Sequence, residues 1–95
     1  MAELPSKLSD GEIADRLSRL PAWEIEDGKL SREFQFDDFM GAVDFVNKVA
    51  RVAEEEGHHP DLLVSWGRVV IYLSTHSAGG LTAKDFTVAS RVEAL

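Results

Sequence analysis

Residues 39–56 constrain this fold more than any other stretch. Phe39, Ala42, Val43, Val46, Ala50 and Ala53 recur at helical spacing, with Asp44, Lys48, Arg51 and Glu55 on the opposite side. This pattern specifies an amphipathic helix of about 18 residues. Asp37 or Asp38 is placed to cap its start. Gly57 suits the left-handed position that ends a helix, and Pro60 prevents continuation.

Shorter elements flank it. Ser9-Asp10-Gly11-Glu12 reads as a capping box, with Leu8 and Ile13 placed for a hydrophobic staple. Ile13, Leu17 and Leu20 give a short helix that Pro21 stops, and residues 1–8 read as a loosely held lead-in. Trp23 to Glu26 alternates as a half-buried strand does, and Asp27-Gly28 is a hairpin turn. That turn sets Ile25 against Leu30 on one side, where Phe34 and Phe36 continue. Arg32 is the odd member of that side, its stem expected to lie flat while its head reaches water.

Beyond the long helix, residues 62–66 read as a strand, Gly67-Arg68 as a turn and residues 69–74 as a β-branched partner strand. After a loop at residues 77–80, Thr82 caps a last helix through about Glu93. The order is α-β-β-α-β-β-α. It predicts an α+β fold: one domain over residues 1–95, a four-stranded antiparallel sheet with helices packed on one face.

Composition narrows the function. The absence of cysteine excludes a disulfide scaffold and thiolate metal sites, and it suits a reducing cytoplasm. No apolar run approaches a membrane span, and the first 20 residues lack the order of a signal peptide. These point to a cytoplasmic protein. A net charge of -7 argues against direct nucleic-acid binding, which needs clustered Lys and Arg.

The chemistry concentrates in one region. All three histidines, His58, His59 and His76, fall between the row Glu54-Glu55-Glu56 and Asp85. Glutamates at a helix C-terminus meet its partial negative charge unfavourably, and Glu54 borders the apolar stripe, whereas Glu55 and Glu56 read as surface. Adjacent histidines in an extended segment point to opposite sides, so His58 and His59 suit two roles better than one shared atom. Pro60 holds His59 extended. His76 reads as the end of the fourth strand, on one side with Val70, Tyr72 and Ser74. Asp85 has the spacing of a capping box with Thr82, yet it shares a helical stripe with Val88, Ala89 and Val92. A carboxylate facing inward needs a partner, and a histidine N–H is a suitable one. Metal binding fits poorly, because the doublet splays and the His-x-x-x-His spacing is missing. Ser74, Thr75 and Ser77 neighbour His76, but no nucleophile elbow appears. General acid-base catalysis needs only groups that titrate near neutrality around a pocket. Trp66 and Tyr72 offer flat surfaces for an aromatic ligand, or a core role.

Glu54, His58-His59-Pro60, Trp66, His76 and Asp85 together resemble the motif of the pterin-4a-carbinolamine dehydratases. Leu73-Ser74-Thr75-His76, Gly79-Gly80-Leu81-Thr82 and the element order resemble that family over nearly the whole chain. The resemblance implies a hydro-lyase that dehydrates a 4a-hydroxytetrahydropterin to a quinonoid dihydropterin, regenerating the pterin of aromatic amino acid hydroxylases. It implies no metal or other cofactor. It implies His58 and His76 as acids at the 4a-hydroxyl, His59 as base and orienting group, and Asp85 as the partner of a histidine. Glu54, Pro60 and Trp66, with the backbone at Ser74 and Thr75, are implied as pterin contacts. It also implies a homodimer or homotetramer. Two alternatives stand beside it: a non-catalytic binding or dimerisation-cofactor module on the same fold, and a homologue in molybdopterin metabolism.

Overall fold

The structure, a computed structural model, describes residues 6–95. Its elements are α1 (Asp10–Leu17), β1 (Glu24–Glu26), β2 (Lys29–Gln35), α2 (Phe39–Glu56), β3 (Asp61–Ser65), β4 (Arg68–Leu73) and α3 (Ala83–Glu93). A single 3-10 turn, His76–Ala78, follows β4. The sheet is antiparallel throughout in the order β1-β2-β4-β3. This is the α+β arrangement expected from the sequence, with the helices on one face.

Each helix begins where its side chains can satisfy free backbone N–H groups. Ser9 and Glu12 form the reciprocal capping box of α1. The Ser9 backbone N–H bonded to the Glu12 carboxylate, and then the Ser9 hydroxyl, hold that carboxyl below its ordinary pKa. Asp38 caps α2 through the Gly41 N–H at 2.7 Å. At the other end Gly57 is left-handed, with φ of 62°. The His58 N–H reaches the Ala53 carbonyl and the Gly57 N–H reaches that of Glu54. This is a Schellman motif, and it fixes the direction in which the chain leaves α2.

The core lies between the sheet and α2 with α3. Leu30, Val69, Ile71 and Leu73 of the sheet meet Ala42, Val49 and Val52 of α2 and Val88, Ala89 and Val92 of α3. The buried stripe of α2 is rotated from the one expected. Phe39 and Ala50 are exposed, whereas Val49 and Val52 are buried. Phe45 explains the rotation, since its ring lies 4.6 Å from that of Phe34 and 5.1 Å from that of Phe36. Large aromatic area outweighs the small side chain of Ala50 in choosing which face turns inward.

Other expectations shift locally. Ile25 pairs with Leu30 but stays exposed, because β1 is a three-residue edge strand. The Arg32 head does not simply reach water: it pairs with Glu93, which also accepts from the Trp23 indole at 2.7 Å, and it lies 4.1 Å over the Phe34 ring. The second hairpin turns at Trp66-Gly67, not at Gly67-Arg68, because Ser65 pairs with Arg68. Trp66 is therefore a turn residue and is 71% exposed. β4 ends at Leu73, so Ser74 lies beyond it and His76 opens the 3-10 turn. The lead-in expected over residues 1–8 falls partly outside the described residues; within it, the Leu8 N–H donates to the Leu81 carbonyl at 2.8 Å. No helix among the described residues is long and apolar enough to cross a membrane.

Gly67 has two reasons to be glycine. Its φ is 66°, and a Cβ there would sit 2.8 Å from the Phe36 carbonyl oxygen. Gly28 has a φ of 76° with nothing within 4 Å. Gly28→Ala is expected to destabilise by about 1 kcal/mol and Gly67→Ala by about 2–3 kcal/mol, the difference being the added clash. Urea denaturation of both variants reads this order directly. The Glu12 cap has a pH signature. Its carboxyl is lowered in the folded state, so its contribution is present above the unfolded pKa and lost as pH falls through the folded one. The stability difference between the native chain and Glu12→Ala should accordingly shrink on acidification.

Candidate active site

The site is built around a buried carboxylate. Asp85 occupies the third position of α3, where its side chain completes the capping box with Thr82. It has no exposed surface. Its Oδ2 accepts from the Thr82 backbone N–H at 2.9 Å and from the Thr75 hydroxyl at 2.8 Å. Its Oδ1 faces His58 Nε2 at 2.6 Å. The expected histidine partner of Asp85 is thus His58, delivered by the Schellman turn at the end of α2.

Counting protons orders the network. A carboxylate only accepts, so His58 carries its proton on Nε2 and leaves Nδ1 as the nitrogen able to exchange with a ligand. Thr75 has one hydroxyl proton, and it goes to Asp85. The Thr82 hydroxyl, 2.8 Å from that of Thr75, must then be the donor between them. Its own oxygen accepts from the Lys84 N–H at 3.3 Å. Among the described residues no buried side-chain polar atom lacks a partner. A buried carboxylate without such donors would be strongly unfavourable, so the cluster is held as a unit.

His59 goes the other way. It pairs with Glu54 in an exposed contact, while the His58 side chain is only 12% exposed. The doublet is thus split between two partners. The glutamate row is compensated from α3, where Arg91 reaches Glu55 at 2.5 Å and Glu56 at 3.2 Å. Hydrogen bonding to Glu55 raises the Arg91 pKa against the opposing effect of burial, and Glu56 adds to the rise.

Thr75 joins this cluster to an open concavity. Its backbone bridges Gly80, and His76 follows immediately. A concavity of about 440 Å³ lies between residues 74–76 with 79–80 on one wall and residues 27–29 on the other. His76 is exposed and lines this concavity. Pro60 is half-buried and leads directly into β3, beside the His58-His59 doublet.

Trp66 is not brought to this site. Asp61 pairs with Tyr72 and Ser65 with Arg68, so the hairpin carries Trp66 to the far end of the sheet. Seven residues from Arg68 to Thr75 at strand spacing put it roughly 20 Å away. The hairpin turn, which the spacing of the motif does not register, is the reason. Two features of the site are not legible in the sequence. The Thr75 hydroxyl serves Asp85 directly and the Thr82 hydroxyl supports it through Thr75, whereas the sequence points only to the Thr75 backbone. The second wall, residues 27–29, shows in the sequence only as a turn. Its signal was the Asp27-Gly28 pair itself, since a hairpin tip must project somewhere. Among the described residues no group of three or more His, Asp or Glu is placed to hold a metal ion.

Known proteins bear on this geometry. Residues 6–95 match the family model described as pterin 4 alpha carbinolamine dehydratase. A protein of Acidobacterium capsulatum assigned as a pterin-4-alpha-carbinolamine dehydratase is 48% identical over 95% of this chain and 98% of its own. One of Sulfolobus acidocaldarius with the same assignment is 46% identical over 90% and 94%. A crystal structure described as a transcriptional coactivator/pterin dehydratase from Brucella melitensis superposes with a TM-score of 0.88. It is 34% identical over 94% of this chain and 97% of that one. A pterin dehydratase-like protein identified as a RuBisCO assembly factor in the alpha-carboxysome superposes at 0.61, with 25% identity over 76% and 83%. With a match spanning all the described residues and relatives near half identical along both lengths, this chain belongs to the pterin-4-alpha-carbinolamine dehydratase family.

Proposed function

We propose that this protein dehydrates 4a-hydroxytetrahydropterins to quinonoid dihydropterins by histidine acid-base catalysis. The observation that carries the reading is the buried Asp85–His58 pair, tied through Thr75 to the segment bearing His76. Family membership supplies the substrate class.

The reaction gives up one proton and takes one. The 4a-hydroxyl leaves as water only if protonated, the N5–H proton is removed, and the C4a–N5 double bond forms from the electrons released. One histidine in each protonation state suffices, and return of the proton from the base to the acid through water restores the starting enzyme. Asp85 locks the His58 proton on Nε2 and leaves Nδ1 for the substrate. His76 stands on the wall of the concavity as the second proton carrier at the hydroxyl. His59, held by Glu54, acts as base and orienting group for the ring. Backbone groups at Ser74 and Thr75 meet the ring edge, and Pro60 stiffens the doublet. No metal or redox cofactor is required by this proton balance.

In this reading the product re-enters a pool of reduced pterin used by hydroxylases, within the cytoplasm. The functional unit is a homodimer or homotetramer formed through the outer strands of the sheet. A second reading, a binding module without catalysis, is favoured by the likeness to the RuBisCO assembly factor. Turnover separates the two.

His58→Ala and His76→Ala are each expected to lower kcat by about 10²-fold with the fold intact, and the double variant by much more. Stopped-flow absorbance of a freshly formed carbinolamine measures this, and circular dichroism checks folding. Near-native dehydration by the double variant would sink the assignment. Thr75→Val leaves Asp85 one donor short and the Thr82 hydroxyl without its acceptor. It is expected to cost about 1–3 kcal/mol of stability and to lower turnover, because His58 loses a fixed partner.

A further inference from the structure

The concavity beside His76 has a second wall that the proton chemistry does not use. It is the tip of the first hairpin, residues 27–29. Lys29 opens β2 and lines the cavity. Among the described residues, no carboxylate lies within ion-pair distance of its ammonium group. The same holds for Lys7 on the other side.

Lys7 is held there by the backbone. The Leu8 N–H donates to the Leu81 carbonyl, strapping the chain across the loop after the 3-10 turn. The Lys7 stem then lies against Gly80, which lines the cavity. A Cβ at residue 80 would sit 2.8 Å from Lys7 Cε and 3.3 Å from its Cδ and Cγ. Gly80 is thus the space through which the lysine passes. Lys29 lines the cavity and the Lys7 stem adjoins it at Gly80, against one lining carboxylate, Asp27, with Glu26 opposite Lys29 across the hairpin, in a chain of net charge -7. A cavity of about 440 Å³ also holds more than a bicyclic ring fills.

We propose that Lys29 and Lys7 select pterins whose ring substituent ends in an anionic group, a carboxylate or a phosphate. This rests on the dehydratase reading and names the substrate class within it. The bicyclic ring lies toward His76, and the substituent extends between the hairpin tip and the strap. Both lysines are solvent-exposed, so their charge acts mainly on substrate affinity and is screened by salt.

Three carbinolamines test this: one with a neutral methyl substituent, one ending in a carboxylate and one ending in a phosphate. Their kcat/KM values are compared for the native protein, Lys29→Ala, Lys7→Ala and Lys29→Glu. The native protein is expected to prefer at least one anionic substrate over the neutral one, and the two anionic arms identify which group is recognised. Each alanine variant should cut that preference by about threefold to fivefold, through KM. Lys29→Glu should reverse it, and added salt should erode it. Gly80→Ala, which displaces the Lys7 stem without removing charge, should act like Lys7→Ala. Equal kcat/KM on all three native-protein arms, or losses shared equally by the neutral substrate, would overturn the proposal while leaving the dehydratase reading intact. Native protein inactive on all three would overturn both.

Discussion

Asp85 is the residue on which the geometry of the site depends. It sits at zero exposure with both oxygens engaged. The hydrogen bonds offset a desolvation cost that would otherwise expel or neutralise the group. Their donors come from three places in the chain: the end of α2, the segment after β4 and the cap of α3. A single carboxylate therefore fixes the relative position of three elements that share no regular hydrogen bonding. Helix capping and histidine orientation are the same interaction seen from two oxygens.

Much of the fold is legible in the sequence because local rules agree. The Ser9–Glu12 box, the Asp27-Gly28 turn and Gly57 each act over a few residues, and each occurs where its motif stands. The errors lie where long-range packing decides. Phe45 turns α2 so that Ala50 faces water, and only the position of Phe34 and Phe36 across the core explains it. Arg32 finds Glu93 from the far end of α3, a partner no periodicity announces.

The site divides in the same way. That Asp85 needs a histidine follows from chemistry alone, since an inward carboxylate on a helical stripe needs an N–H; that the histidine is His58 follows only from the turn that ends α2. The splitting of His58 from His59 follows from strand alternation. Trp66 does not follow, because spacing along a motif carries no information about which way a hairpin folds back. Thr75 was half legible. Its place beside His76 was visible, but its hydroxyl acquires a role only once Thr82 and Asp85 are brought beneath it.

The tie between the two hairpins has a mechanical meaning. The Phe36 N–H bonds the Gly67 carbonyl at 2.8 Å, and Gly67 has no room for a side chain against the Phe36 carbonyl. That end of the sheet is stitched across strands and roofed by the Phe34, Phe36 and Phe45 rings. At the opposite end the hairpin tip and the loop after β4 face each other across open space. In shape the sheet is a clip, with a stitched spine and an open mouth. The spine keeps the register on which the buried carboxylate relies, and the open mouth leaves the concavity beside His76 accessible.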